Sequence, residues 1–284
     1  MSRHPQTAPS PGAWLPWLRH LLGPVEIEPR TTGDATQYAF DVPQGWGQAR
    51  GTFGGVLLGA MQRAIELAEP ESDRTLRSLS GEIAGPVVPG PSTITVRAIR
   101  RGNGVSTWAA ELAQSEGTLV TASAVLGRTR DIDRAWSPVP PTPTPWRDLP
   151  PLPRELPLTP EFTKHLEFRL FGTMPFSGAS EPVTTGWIAP REASRGIGAA
   201  ELVALADAWW PAAFSTERAP RPIATVAYTL QCLLGGRVLP ADVPLHHRAH
   251  VVASAQGFFV EMRELWTETG ELVALNQQTF VWIR

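Results

Sequence analysis

The feature that most restricts how this chain can fold is its division into two like halves by a proline-dense stretch. Ten of its 29 prolines fall between Pro138 and Pro160. Proline removes a backbone donor and disfavours helix at the residue before it, so residues 131–160 read as an extended, semi-rigid linker. The flanking units are residues 12–130 and 161–284; a long surface loop inside one domain is the competing reading. Landmarks recur in the same order on both sides. Arg50-Gly51 precedes a helical segment in the first half, and Arg195-Gly196 does so in the second. Glu111-Leu112 followed by Gly117-Thr118-Leu119-Val120 parallels Glu264-Leu265 followed by Gly270-Glu271-Leu272-Val273. The offset is 145 at the first landmark and 153 at the second, and loop growth of eight residues accounts for the drift. Repetition at this scale means that one supersecondary unit occurs twice.

The expected elements agree between the halves. Val56, Leu57, Ala60, Met61, Ala64, Ile65 and Ala68 recur at helical spacing over 54–68. Strand-like alternation follows, with Ile94, Val96 and Ala98 facing one way and Thr95, Arg97 and Ile99 the other. Turns at 102–104 and 115–117 set off strands over 105–114 and 118–128. The second half predicts a helix over about 199–210, then strands near 223–233, 245–253, 258–267 and 272–283. One largely apolar helix followed by antiparallel strands is an α+β unit whose sheet can curl around the helix.

Composition mainly excludes. There are 25 basic and 27 acidic side chains, and this balance argues against a nucleic-acid partner held by a broad basic surface. Cys232 is the only cysteine, which rules out an internal disulfide framework and a cysteine-clustered metal site. No apolar run approaches the roughly 18 residues that span a bilayer, and the proline-broken start (Pro5, Pro9, Pro11, Pro16) lacks the core of a secretory signal. A cytoplasmic protein without a membrane partner is expected. His246-His247-Arg248-Ala249-His250 imitates a metal cluster, but a strand puts only its first and third histidines on the face of Arg248; no metal is expected. Gly196-x-Gly198 lacks the third glycine of a dinucleotide fingerprint, and no G-x-S-x-G occurs.

Thr52-Phe53-Gly54-Gly55-Val56 opening a helix, with Arg77-Ser78-Leu79 and Pro89-Gly90 after it, resembles the first half of the double-hotdog acyl-CoA thioesterases, the thioesterase II-like group. Leu205-Ala206-Asp207, Ala224-Thr225 and Leu272-Val273-Ala274 leading to Gln278 resemble the second half. The resemblance runs from about Val25 to Arg284, the linker excepted. It implies a tandem hotdog fold, each half a curved antiparallel sheet wrapped around one long helix. It implies hydrolysis of an acyl thioester on CoA or a carrier protein, without a cofactor. It places the catalytic Asp, Thr and Gln on Asp207, Thr225 and Gln278. Aligning the repeats puts Gln62, Ser78 and Val125 at the matching positions, so one centre per chain is implied. Val226-Ala227-Tyr228 follows Thr225, where the family often carries an acidic or His residue.

The residues themselves fit that chemistry. Asp207 lies in Leu205-Ala206-Asp207-Ala208-Trp209-Trp210, where partial desolvation raises a carboxylate's pKa and makes it a better base near neutral pH. Pro211 has no N–H for the carbonyl of Asp207, so the helix should bend or stop there. Asn276, Gln278, Phe280 and Trp282 share one strand face, and a buried Gln278 needs polar partners, such as a water held against Asp207. The Thr225 hydroxyl is suited to orient the same water. Oxyanion donors are sought at the helix starts, at Gly54, Gly55 and Gly198. Met61, Ile65, Trp209, Trp210 and Phe214 are candidate walls of an apolar acyl channel, although each is equally a core residue. A non-enzymatic acyl-binding or interaction module, and a hotdog hydratase with an Asp–His pair, remain as alternatives. A homodimer is the expected assembly.

Overall fold

The computed structural model describes residues 30–283 except 33, 116, 156–158 and 192–195. Residues 12–29 of the first unit and Arg195 of the second landmark lie outside the described residues. The first half comprises β1 (Arg30–Thr32), β2 (Ala35–Val42), the small hairpin β3 (Gly47–Gln48) and β4 (Gly51–Thr52), and helix α1 (Gly54–Ala68). Then come β5 (Arg74–Ile83), β6 (Gly90–Arg101), β7 (Val105–Gln114) and β8 (Gly117–Arg128). The second half comprises β9 (Leu166–Leu170), β10 (Val183–Pro190), helix α2 (Ala199–Asp207), β11 (Ile223–Cys232), β12 (Leu245–Ala255), β13 (Phe258–Trp266) and β14 (Leu272–Trp282).

Twelve strands form one antiparallel sheet in the order β1-β2-β6-β7-β8-β5-β11-β14-β13-β12-β10-β9. The order reads alike from either edge when β5 is exchanged with β11, β8 with β14 and so outward, so the halves are related by a pseudo-twofold at the β5–β11 junction. There Leu79 sits opposite Leu230 and Thr229 opposite Ser80. This is the tandem hotdog arrangement.

The helices lie against one face of the sheet and against each other. The first half of α1, from Gly54 to Met61, is apolar on all sides, and Gly54 through Gln62 are all buried, the pattern of an interior helix. α1 and α2 run antiparallel: Gly55 lies beside Ala204 and Gly59 beside Ala200. A Cβ on Gly55 would come within 2.7 Å of the Ala204 carbonyl, and one on Gly59 within 2.9 Å of the Ala200 carbonyl, so glycine sets the interhelical distance. The start of α1 therefore abuts the end of α2. α2 stops at Asp207, three residues before the sequence-based expectation, because Pro211 withdraws the donor for the next turn. The chain continues as a 3-10 turn over Ala212–Ser215.

The proline-dense segment over 144–152 is strapped along the second half. Trp187 donates its indole N–H to the Thr144 carbonyl at 2.8 Å. Arg169 reaches the carbonyls of Trp146 and Leu149, and the Leu152 N–H bonds the carbonyl of Phe168 on the edge strand β9.

Candidate active site

The end of α2, the start of α1 and the middle of β14 meet at one point. Asp207, the last residue of α2, accepts a hydrogen bond from Gln278 Nε2 at 3.0 Å. The orientation of that amide is fixed by a chain of contacts. Asn276 Nδ2 donates to the Thr229 carbonyl at 2.8 Å, which turns Asn276 Oδ1 toward Gln278 Nε2 at 2.9 Å. Both Gln278 hydrogens are thus spent on Asn276 and Asp207, and its Oε1 faces the Thr225 hydroxyl at 3.5 Å. Asn276 and Gln278 are fully buried while Gln277 between them is exposed, as strand alternation requires. The sequence placed a water between Gln278 and Asp207; the amide bonds the carboxylate directly instead.

From the other half, the start of α1 faces the same carboxylate. A Cβ on Gly54 would lie 3.1 Å from Asp207 Oδ2, so glycine leaves the room the carboxylate occupies. The Gly55 N–H is directed at the carboxylate and favours its charged form. Burial raises the pKa of Asp207, and the Arg263 guanidinium, the Gln278 amide and the Gly55 N–H each oppose that rise without cancelling it. A partly desolvated carboxylate held by two donors in this way has a raised proton affinity, the property that general-base chemistry needs.

Four polar residues of this site were given no role in the sequence reading. Asn276 was assigned to the right face but given no role. Glu261 and Arg263, opposite Gln278 and Asn276 on β13, form a fully buried ion pair at 2.8 Å. Tyr228, opposite Gln278 on β11, is buried too and donates its hydroxyl to the Val203 carbonyl at 2.9 Å.

The other candidates are placed as follows. Gly198 starts α2 at the end remote from Asp207, and its N–H is taken by the Glu201 carboxylate at 2.9 Å. Only the α1 start is left to face the carboxylate. Met61 and Ile65 are wholly enclosed in the main core. Trp209 bonds Thr184 through its indole N–H at 2.9 Å, stacks on His247 and packs against Trp210 and Phe168. Phe214, in the 3-10 turn, meets Phe176 and Trp282 beside a separate small cluster of Ala213, Phe259 and Phe280. Buried His247 is held neutral, and no histidine bonds the Asp207 carboxylate among the described residues. The Asp–His pair of a hydratase is not assembled.

The repeat equivalences need correcting. β5 carries a bulge between Leu76 and Ser78, and β11 carries one between Thr225 and Ala227. Superposing the bulges matches Thr225 with Leu76 rather than Ser78. Gln278 pairs with Tyr228 and Glu261, as Ala124 pairs with Leu79 and Trp108, so its counterpart is Ala124 rather than Val125. Glu261, Arg263 and Asn276 correspond in the same way to Trp108, Ala110 and Ala122.

The family model described as the acyl-CoA thioesterase N-terminal domain matches residues 42–127, and its C-terminal counterpart matches residues 139–282. No sequence among the curated proteins matches the chain. Solved structures that share the fold include three from different sources. A hot dog fold protein of unknown function from Alicyclobacillus acidocaldarius is 23% identical, with a TM-score of 0.79 over 90% of this chain and 96% of that one. The acyl-CoA thioesterase II of Mycobacterium marinum is 15% identical, with a TM-score of 0.69 over 94% and 98%. The 12:0-ACP thioesterase of Umbellularia californica is 13% identical, with a TM-score of 0.53 over 88% and 95%. Matched by both domain models over most of its length, the chain belongs to the acyl-CoA thioesterase family and is a thioester hydrolase.

Proposed function

We propose that the chain hydrolyses an acyl-CoA thioester at the Asp207 centre. The observation that carries this reading is a partly buried carboxylate bonded by a side-chain amide from one half and facing the helix start of the other. Asp207 accepts a proton from a water as the water oxygen attacks the thioester carbonyl carbon. The water's second hydrogen is directed at the Gln278 Oε1 and Thr225 Oγ1 pair. The oxyanion that develops on the carbonyl meets the Gly54 N–H at the α1 start, where glycine allows close approach. Collapse of the tetrahedral adduct expels the thiolate, which takes up a proton to leave free acid and CoA. The small cluster around Phe214, Phe259 and Phe280 supports an apolar acyl group. The same reading includes a cytoplasmic setting, acyl chains of fatty acid metabolism and a homodimer, the last decided by light scattering.

The test is thiol release from a panel of acyl-CoAs and acyl-carrier proteins. Turnover should be greatest on acyl-CoA with an apolar chain and should fall on the acid side through the raised pKa of Asp207, because only the ionised carboxylate accepts the proton. Binding without thiol release would favour the acyl-binding module instead.

A further inference from the structure

The interruption after Asp207 is spanned by the buried ion pair of β13. Without a donor at Pro211, the last carbonyls of α2 need partners from elsewhere. Arg263 Nη1 donates to the carbonyls of Ala206 and Asp207 at 3.1 and 3.2 Å. Its Nε donates to Glu261 Oε1 at 2.8 Å. The second oxygen of Glu261 accepts the Ala212 N–H at 2.6 Å, on the far side of the break. Two adjacent inward positions of one strand thus hold both ends of the gap that carries Asp207. A buried ion pair is a poor route to stability, because desolvating both charges offsets most of their attraction. At the matching positions the first half has Trp108 and Ala110, and α1 continues unbroken to Ala68.

We propose that Arg263, locked in place by Glu261, is a positioning residue: it holds the Asp207 backbone so that the carboxylate meets the water, and it supplies the nearby positive charge. This rests on the reading of Asp207 as the base. The groups around the carboxylate are consistent with that role. α1 contributes only amide N–H groups, β14 the neutral Gln278 and Asn276, and β11 Tyr228, whose hydroxyl burial keeps protonated. β12 contributes His247, held neutral by burial and by Arg263 itself. Arg263 is the one cation among the charges that act on Asp207. Its attraction favours ionisation, so losing it raises the carboxylate's pKa and moves the acid limb of turnover to higher pH.

The experiment compares pH profiles of kcat on the best acyl-CoA for wild type, Arg263→Lys and the double variant Glu261→Gln with Arg263→Gln. The double variant avoids leaving a lone buried charge. Its acid limb should move up by about one unit, a loss of about tenfold at pH values below both midpoints. Arg263→Lys keeps the charge but loses the planar fork, so its limb should stay in place while plateau kcat falls severalfold and KM is unchanged. A folded double variant whose limb coincides with wild type overturns the electrostatic role. Wild-type plateau kcat in Arg263→Lys overturns the positioning role, whether or not the double variant folds. Asp207→Asn is run alongside: if it is fully active, the base assignment fails; if it is inactive while the Arg263 variants behave as wild type, only this proposal fails.

Discussion

The two ends of the antiparallel helix pair are built on one backbone plan and carry opposite chemistry. At the end of α2, Asp207, Gln278, Asn276, Arg263 and Glu261 form a connected polar layer. At the matching depth of the first half stand Gln62, Ala124, Ala122, Ala110 and Trp108, of which only Gln62 is a polar residue aimed inward. Gln62 Nε2 bonds Glu66 at 3.1 Å and leaves its Oε1 buried without a partner. The helix beneath differs to match: 15 residues in α1, nine in α2. A continuous helix satisfies its own carbonyls and needs no charged clamp. A helix cut short to present a carboxylate needs one, and the strand beside it must supply it. The candidate centre is therefore the adjustment of a whole layer, not three residues added to a common frame.

Asp207→Asn should show the largest contrast. It keeps the shape and the acceptor for Gln278 but removes the base, so turnover should drop by about 10²- to 10⁴-fold. The same variant should unfold at a higher temperature at neutral pH. Asp207 has a folded pKa above its unfolded value, so its contribution to stability is present at low pH and is lost as pH rises through the folded pKa. Lower activity with unchanged or lower stability would mean that the carboxylate is not strained by burial. Gln278→Ala deletes a hydrogen bond to a charged group, which is worth about 1.5–3 kcal/mol, and turnover should fall by roughly 10- to 100-fold. Leu76→Thr and Ala124→Ser, at the matching places in the first half, should leave turnover unchanged. Any large loss there would break the claim of a single centre. Gln62→Met removes a buried, unpaired acceptor and should add about 1 kcal/mol of stability, read as a higher Tm, with normal turnover. The smallest effect concerns Glu201, whose carboxyl is pushed up to about 7 by burial. Its contribution to stability is present below 4.5 and lost as pH climbs through about 7. Glu201→Gln should then gain most over wild type above that pH, measured as Tm against pH.

Much of this was legible in the sequence, for local reasons. The helix over 54–68 follows from its apolar spacing, and the end of α2 from Pro211. Gln278 facing inward with Gln277 outward follows from strand alternation. The repeat equivalences were not legible, because two different strand counts hide in similar motifs. Between matched positions the β13–β14 hairpin holds one residue more than the β7–β8 hairpin (Glu261 to Gln278 against Trp108 to Ala124), so aligning Gly270-Glu271-Leu272-Val273 with Gly117-Thr118-Leu119-Val120 slips the register by one. A slip of one exchanges the faces, which is why Val125 stood in for Ala124. Arg263 and Glu261 were missed for a different reason. Alternating with Val260 and Met262, they read as the wet face of a strand, and only their mutual pairing allows that face to be the buried one. A buried ion pair leaves no mark in hydrophobic periodicity.

The closeness of Gly54 to the Asp207 carboxylate has a consequence for inheritance. Two identical chains packed in this way would present two equivalent centres, and a change at one helix end would necessarily appear at the other. Joined in a single reading frame by residues 131–160, the two ends are encoded separately. Ala124 and Gln278 can then be edited one at a time, and the first half is free to give up its own base while still lending a helix start to its neighbour. Asymmetry of this kind is open to a tandem polypeptide and closed to a homodimer.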